Sequence, residues 1–503
     1  MPGGSAIRSP CLLGAVRALA VLALALAPAG VAAQQAAPIA AAPSPVSSST
    51  AERVAARLAE AGAGVRFGLV VLDEAGNELI ALNPDGRFIP GSNTKMATTA
   101  AALWLLSGEP AAMAAGEGTR VRLSEARVPD VVLEGRGDPW LSAAPGCARD
   151  CLAVLADAVA ARTRRVRNVI GDARWFADER WPAGMSWNNI PSRSGTATAA
   201  LSLDDNELVL TVSPGDPGGV PEIDGPPYLT IDNRAVTLAP GVRPTPGRAL
   251  ALHRDPLARR AVLTGEIAAA APPATLRQGI DDPAHYAAWT LARMLAERGV
   301  RVTGEVRSAY RAPGEGPPAE SPAAPLAVLA PPPLAEAVTR INKDSQNHHA
   351  DVLLRRIGRA GGGDGTAEAG QAVVRALYAA AGVPEDQGFF ADGSGMSTYN
   401  RMTPRGTARL VRWIARQPWG AAFEASLPVA GRDGTLANRF RGTLLEGRLM
   451  AKTGSLNATN ALSGWLITRS GRRLAFAMFA NDVPEGVSGT AAIDGALAIL
   501  AED

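Results

Sequence analysis

The C-terminal region carries the pattern that most restricts the fold. Residues 448–454, 461–469 and 472–481 are consecutive strand-like runs separated by short turns. Strands joined by such short connections can pair only in the antiparallel sense, because a parallel pair needs a crossover of about a dozen residues or more. A helical pattern follows the last run. The sequence therefore predicts an antiparallel sheet and a terminal helix at this end of the chain.

Hydrophobic periodicity predicts further elements before these strands. A hairpin over residues 65–82 turns at residues 74–77, and a strongly apolar helix begins at Gly91 and Ser92 and runs to about residue 106. Further helices are predicted over residues 51–61, 283–298, 334–342 and 350–357. Short strand patterns with Pro and Gly turns fill most of the middle of the chain.

The first 33 residues have the pattern of a signal peptide. Arg8 and Arg17 precede an apolar run over residues 18–27, and small residues follow it. The run is too short for a transmembrane anchor, so we expect a mature, exported chain that begins near Gln34. Loss of the two arginines lowers the formal charge from +2 to zero, which argues against nucleic acid or an anionic membrane as a partner.

Changes in composition divide the rest of the chain. Residues 34–49, rich in Ala, Pro and Ser, are predicted to be a flexible leader, and residues 312–325, with five prolines and two glycines, a stiff linker. The predicted order is signal peptide 1–33, leader 34–49, a segment 50–120, a separate unit or two over residues 121–311, linker 312–325 and a segment 326–503.

Lysine is rare in this chain. Of the 50 Lys and Arg residues, only Lys95, Lys343 and Lys452 are lysine. Lysine differs from arginine in that it can lose its proton when buried, so these positions are candidates for that chemistry. Lys95 follows Ser92 by three residues, and positions i and i+3 share one face of a helix. A neutral Lys95 could there take the proton of the Ser92 hydroxyl and make it nucleophilic.

Lys452 begins the triplet Lys452-Thr453-Gly454 within the first C-terminal strand pattern. The triplet offers a cation and a hydroxyl at a strand edge, and Gly454 leaves room for a substrate backbone to approach. A second positive charge close to Lys95 would lower the pKa of Lys95, as would burial.

A Ser-x-Asn motif occurs at three places, so the motif alone does not select a site. The candidates are Ser186-Trp187-Asn188, Ser345-Gln346-Asn347 and Ser455-Leu456-Asn457. We prefer the second because it lies between the two lysine motifs and precedes a predicted helix. Ser345 could there relay a proton, and Asn347 could hold a substrate carbonyl. Ser455 is better suited to act through its backbone N–H.

In this order, the Ser-x-x-Lys, Ser-x-Asn and Lys-Thr-Gly motifs resemble those of the serine acyl transferases, the penicillin-binding proteins and β-lactamases. The separation of 253 positions from Ser92 to Ser345 is too long for a class A β-lactamase. The chain is similar instead to peptidase family S13, the D-Ala-D-Ala carboxypeptidases/endopeptidases that are class C low-molecular-mass penicillin-binding proteins of the penicillin-binding protein 4 type. Further segments extend this resemblance over nearly the whole mature chain: residues 135–139, 392–397, 431–436 and 451–457.

The resemblance implies an α+β fold. Its DD-peptidase/β-lactamase-like core is an antiparallel sheet with helices on both faces, and segments 50–120 and 326–503 would form it, with the hairpin beside the C-terminal strands. Mainly β domains would be inserted at residues 121–311. The resemblance also implies a periplasmic hydrolase that acts on peptidoglycan peptides, is acylated by β-lactam antibiotics and uses no metal or other cofactor.

The resemblance assigns roles to the motif residues. Ser92 would be the nucleophile and Lys95 its base, and the N–H groups of Ser92 and Ser455 would hold the oxyanion. Lys452 and Thr453 would bind the terminal carboxylate of the substrate.

Ser345 and Asn347 of the middle motif also receive roles, and the chain departs from the family pattern at two places. Ser345 would relay a proton to the leaving D-Ala, and Asn347 would orient the substrate and the base. Thr398 stands where relatives that bind the free end of diaminopimelate often have arginine. Asp178 and Glu179 are the local matches to an insert carboxylate that some relatives use.

Cysteine and histidine add little. Cys147 and Cys151 could form a disulfide in an exported protein, although a spacing of four strains such a bridge in many geometries.

His348 and His349 are adjacent and should point apart, and no third ligand is spaced for zinc. We therefore expect no metal site.

Two alternative hypotheses stay open from the sequence. A β-lactamase or esterase on the same scaffold would need a base for the deacylating water, and no such residue can be identified. A catalytically silent cell-wall scaffold protein would have no need of Ser92, Lys95 and Lys452 together.

Overall fold

The structure is a computed structural model that describes residues 48–107, 118–320 and 323–503. The predicted signal peptide and nearly all of the predicted leader lie outside these residues. No helix within the described ranges combines the length and apolarity needed to cross a bilayer.

The helices and strands alternate in the terminal parts of the chain, and strands dominate its middle. The helices are α1 Ser48–Ala59, α2 Thr94–Leu106, α3 Leu152–Arg162, α4 Pro283–Glu297, α5 Leu334–Lys343, α6 Asn347–Ala360, α7 Ala367–Ala380, α8 Pro404–Ile414, α9 Gly420–Ser426 and α10 Gly489–Ala501. The strands are β1 Arg66–Leu72, β2 Glu78–Leu82, β3 Arg120–Leu123, β4 Val131–Glu134, β5 Arg165–Val166, β6 Val169–Asp172, β7 Glu207–Ser213, β8 Glu222–Asp224, β9 Thr230–Asn233, β10 Val236–Leu238, β11 Ala251–His253, β12 Arg260–Thr264, β13 Glu266–Ala268, β14 Ala274–Gly279, β15 Arg301–Val302, β16 Val306–Ala309, β17 Ala327–Val328, β18 Gly388–Phe389, β19 Arg401–Met402, β20 Leu449–Leu456, β21 Thr459–Ile467 and β22 Arg473–Asn481.

An antiparallel sheet of order β2-β1-β22-β21-β20 joins the two ends of the chain. Successive residues of β1 face opposite sides of this sheet. Leu69 and Val71 pack with α1 and α10, whereas Val70 and Leu72 face the core that contains α2 and α8. Helices thus cover both faces, and the predicted α+β fold with a DD-peptidase-like core is confirmed.

Among its described residues, the segment between α2 and α5 contains the strands β3 to β17 and the helices α3 and α4. Its main sheet has the order β16-β6-β4-β3-β17, and both helices pack against it. Smaller sheets, β14-β7-β8 and β11-β12-β9, lie beyond it. Strand β17 follows the proline-rich linker and pairs with β3, so the chain leaves this sheet only after Val328. The assignment of residues 121–311 as an inserted unit stays a prediction.

Three element boundaries differ from the sequence expectation in ways that affect the site. The apolar helix is preceded by a short 3₁₀ turn, so Ser92 lies just before α2 rather than inside it. Helix α6 begins already at Asn347, and β20 continues through Ser455. The differences arise because apolar periodicity marks the part of an element that faces the core and not its ends.

Cys147 and Cys151, whose pairing the sequence left open, form a disulfide. Their Cα atoms are 5.7 Å apart, which is an ordinary separation for such a bridge. Cys151 directly precedes α3, so the bridge ties the preceding turn to the start of this helix.

Candidate active site

Ser92 lies in a tight turn that packs against β20. Gly91 takes a φ of +51°, and a Cβ there would lie 2.9 Å from the Ser455 N atom. Glycine therefore allows both the left-handed backbone and the close approach of the strand. Asn93 fixes the same contact from a buried position, since its Nδ2 donates to Lys452 O over 2.8 Å. The turn with Ser92 is thereby held beside the strand with Lys452.

Lys95, in the first turn of α2, is fully buried. Its Nζ donates to Ser92 Oγ at 2.8 Å, to Asn347 Oδ1 at 2.6 Å and to Ser394 O at 2.6 Å. An ammonium group has three N–H donors, so these acceptors satisfy it completely. The structure thus brings together the serine and lysine of the first motif with the asparagine of the second.

The pKa of Lys95 reflects two opposing effects. Burial of the ammonium group lowers it, and the nearby carboxylates of Asp351 and Asp392 raise it, so that the pKa falls to about 8. A lysine with this pKa is partly neutral in mildly alkaline solution, and its neutral form can accept a proton.

The preferred Ser-x-Asn motif lies between α5 and α6 and contacts both lysines. Ser345 has a left-handed backbone with a φ of +56°, and its Oγ accepts from Lys452 Nζ at 3.0 Å. Asn347, besides accepting from Lys95, donates through Nδ2 to Ser194 O at 3.1 Å. A loop of the middle segment therefore reaches the site. Of the other two candidates, one lies in that same loop region and the other at the end of β20.

Lys452 is also fully buried. Its Nζ donates to Ser345 Oγ and to Thr453 O, each at 3.0 Å. Burial lowers the pKa of Lys452 well below its usual value, and the charge of Lys95 lowers it further. The effect of Lys95 is therefore seen on Lys452, whereas the sequence argument expected Lys452 to lower the pKa of Lys95.

Thr453 and Gly454 of the third motif, and Ser455 after them, also lie in β20. Thr453 Oγ1 donates to Thr435 Oγ1 at 2.8 Å, and Ser455 is exposed at the strand edge. A Cβ at Gly454 would lie 2.3 Å from Pro90 O. The sequence analysis linked this glycine to a substrate backbone, and the structure adds a contact within the chain that requires it as well.

Two carboxylates beside Lys95 were not singled out from the sequence. Asp351 lies one turn after Asn347 on α6, and Asp392 begins the segment 392–397 of the family resemblance. The four-residue spacing from Asn347 to Asp351 puts both on one helix face. That spacing is the signal that could have revealed Asp351.

Thr398, Asp178 and Glu179, which the family comparison singled out, all have polar partners within the chain. Asp178 and Glu179 form ion pairs with arginines at 3.0 and 3.1 Å. Thr398 donates through its backbone N and its Oγ1 to Gly184 O at 3.0 and 3.1 Å. Thr398 is thus engaged in joining its own loop to the loop that follows Glu179.

The adjacent histidines are buried and separately bonded. His348 Nε2 lies 2.8 Å from Ser202 Oγ, and His349 Nε2 lies 2.8 Å from Asp205 Oδ1. Burial lowers the pKa of His348 to about 3. Within the described ranges, no group of three or more His, Cys, Asp or Glu residues is arranged to hold a metal ion.

Comparison with known proteins gives the same family for sequence and fold. The model of the D-Ala-D-Ala carboxypeptidase 3 (S13) family matches residues 50–501. A D-alanyl-D-alanine carboxypeptidase of Actinomadura sp. is 34% identical over 461 residues, which are 87% of this chain and 82% of the relative.

Solved structures agree on the fold. Penicillin-binding protein 4 of Haemophilus influenzae matches with a TM-score of 0.74 at 21% identity, over 89% of this chain and 98% of that one. A structure of the same protein in complex with a β-lactam matches with a TM-score of 0.68 at 20% identity, over 90% and 98% of the two chains. With the match over nearly all of the described residues, the chain belongs to the D-Ala-D-Ala carboxypeptidase 3 (S13) family of hydrolases that act on D-Ala-D-Ala.

Proposed function

We propose that this D-Ala-D-Ala carboxypeptidase is also an endopeptidase and that it cleaves peptidoglycan peptides through an acyl-enzyme on Ser92. The observation that carries the proposal is the pair of contacts from Lys95 Nζ to Ser92 Oγ at 2.8 Å and from Lys452 Nζ to Ser345 Oγ at 3.0 Å. A serine beside a buried lysine of lowered pKa is an activated nucleophile, and the second pair supplies a proton donor on the other side.

The first half of the reaction forms the acyl-enzyme. Neutral Lys95 takes the proton of Ser92 Oγ while this oxygen bonds to the carbonyl carbon of the penultimate D-Ala. The N–H groups of Ser92 and Ser455 stabilise the oxyanion. Lys452 and the hydroxyl of Thr453 bind the terminal carboxylate, and Gly454 leaves space for the substrate backbone.

The second half releases the products. The C–N bond breaks when the oxyanion collapses. Ser345 gives its hydroxyl proton to the leaving nitrogen of D-Ala and takes one from Lys452 Nζ, which donates to it at 3.0 Å. Asn347 holds Lys95 and the substrate in place. Water then attacks the ester carbonyl and returns a proton through Ser345 to Lys452. Lys95 gives its proton back to Ser92 Oγ as the ester bond breaks and the acid product leaves. In the endopeptidase reaction the leaving amine belongs to a cross-linked peptide instead of free D-Ala.

We propose further that β-lactams acylate Ser92, since they present a reactive amide and a carboxylate in one molecule. The β-lactam complex of the Haemophilus influenzae relative supports this.

We also propose export to the periplasm with removal of residues 1–33. Sequencing of the mature N-terminus tests this, and we expect Gln34.

The peptidase proposal is tested with two substrates. A pentapeptide that ends in D-Ala-D-Ala should release D-Ala, and a dimer cross-linked through D-Ala should be cut. Both activities should be absent from Ser92→Ala. Cleavage of the pentapeptide but not of the cross-linked dimer would contradict the proposed endopeptidase activity. Hydrolysis of penicillin without activity on either peptide would favour a β-lactamase.

Lys452→Arg is expected to weaken substrate binding more than it slows acylation. Arginine keeps a positive charge for the carboxylate, but its planar guanidinium cannot take the compact position of Nζ between Ser345 and Thr453. The loss of one charge-assisted hydrogen bond should raise KM for the pentapeptide by roughly 10-fold or more. Steady-state kinetics measure this, and an unchanged KM would remove Lys452 from the carboxylate site.

A further inference from the structure

A short backbone segment, Gly393 and Ser394, holds α2 at the catalytic lysine. Ser394 O accepts from Lys95 Nζ at 2.6 Å, and Gly393 O accepts from Thr98 Oγ1 at 2.9 Å. On its other side, Gly393 N donates to Asp351 Oδ1 at 2.9 Å. Asp351 thus fixes the segment whose carbonyl group positions Lys95.

The buried side chain of Asp392 holds the loop that contains Gly393 and Ser394 in place. Only 2% of it is exposed, and its oxygens accept from Gly395 N at 2.8 Å, Ser397 N at 2.6 Å and Asn400 Nδ2 at 2.7 Å. A Cβ at Gly395, where φ is +90°, would lie 1.9 Å from Gly91 O. The loop therefore also packs against the turn of the nucleophile.

Charged groups face Lys95 from each element packed around it. Asp351 does so from α6, Asp392 from the loop and Lys452 from β20. Arg355, one turn beyond Asp351 on α6, is paired at 3.1 Å with a glutamate of the middle segment. Burial disfavours a proton on Lys95, whereas the two carboxylates favour one. Without the carboxylates, the pKa of Lys95 would be lower still, and neutral Lys95 would be a weaker base.

We propose that Asp351 is a positioning residue for the acyl transfer, which holds residues 393–394 against Lys95 and supplies the negative charge that keeps Lys95 basic enough to accept the Ser92 proton. The inference rests on the proposed function. The pKa of Lys95, about 8, and that of Asp351, raised to about 7 mainly by burial, support it. Burial lowers the pKa of Lys95 and the carboxylates partly restore it, so that Lys95 can lose and regain its proton near the working pH of an enzyme.

Asp351→Asn tests the proposal through the pH dependence of acylation by penicillin. The amide can still accept from Gly393 N but carries no charge, so the pKa of Lys95 should fall. Acylation needs neutral Lys95, and its rate should therefore rise at a lower pH than in the wild type, with the midpoint shifted down by about 1 unit or more. The plateau rate should fall several-fold, because a base of lower pKa is weaker.

The controls separate charge from structure. Asp494→Asn removes a carboxylate that pairs with Arg439 across the sheet from the site, and it should leave the pH profile unchanged. Asp351→Glu retains the charge, so its acylation rate should have the same pH midpoint as that of the wild type. This variant tests the proposal even if Asp351→Asn does not fold. A lower plateau at an unchanged midpoint in a folded Asp351→Asn would overturn the proposal.

The same experiment distinguishes this inference from the proposed function. If penicillin does not label Ser92 of the wild type, the acyl-enzyme proposal itself fails. If it labels Ser92 and the Asp351→Asn midpoint does not move, only the role of Asp351 is refuted.

Discussion

Replacement of Lys95 by arginine should slow the acylation of Ser92 by about 10³-fold or more. Arginine stays protonated at every working pH, so it cannot take the proton of the hydroxyl that lies 2.8 Å from Lys95 Nζ. A positioned general base contributes about 10²- to 10⁴-fold to a reaction rate. The acylation rate with a fluorescent penicillin measures the effect.

The rarity of lysine provides a matched control for this experiment. Lys343 is paired with Asp433 at 2.6 Å and has no contact with Ser92. Lys343→Arg makes the same chemical change outside the proposed machinery and should acylate at close to the wild-type rate. Thermal melting checks that the buried arginine of the first variant is tolerated. Near-normal acylation of a folded Lys95→Arg would show that Lys95 is not the base.

Ser345→Ala should reduce turnover of the pentapeptide by about 10²- to 10³-fold, because it removes the hydroxyl that relays a proton to the leaving D-Ala. It also deprives the buried Lys452 Nζ of the acceptor at 3.0 Å. Release of D-Ala in single-turnover experiments measures the step directly.

The repeated Ser-x-Asn motif supplies the control here. Ser186→Ala changes the serine of a second copy, which lies in a loop of the middle segment, and should leave turnover unchanged. The opposite result, an active Ser345→Ala and an inactive Ser186→Ala, would show that the wrong copy was chosen.

Much of the fold follows from local patterns. The C-terminal strands could be predicted because short connections force antiparallel pairing. Their nearly continuous apolar runs are buried on both faces of the sheet, which explains why helices cover both. The pairing of β1 with β22 joins residues more than 400 positions apart. No local pattern specifies such a contact, and its expectation came from the family resemblance.

The site was predictable to the extent that its chemistry requires particular residue types. Ser92, Lys95 and Lys452 stand out because lysine is rare in this chain and two of its three lysines lie in motifs that occur together in one family. Asn93 and Asp351 do not stand out, because each acts through a partner that is distant in sequence: Asn93 through Lys452 O and Asp351 through Gly393 N. The side chains that hold the site together therefore became visible only in the structure.

Incubation of the purified mature protein with a fluorescent penicillin, followed by mass spectrometry of its peptides, tests the acyl-enzyme proposal most directly. We predict a stable adduct on Ser92 that is absent from Ser92→Ala. An adduct on another residue, or labelling that persists in Ser92→Ala, would contradict the proposed mechanism.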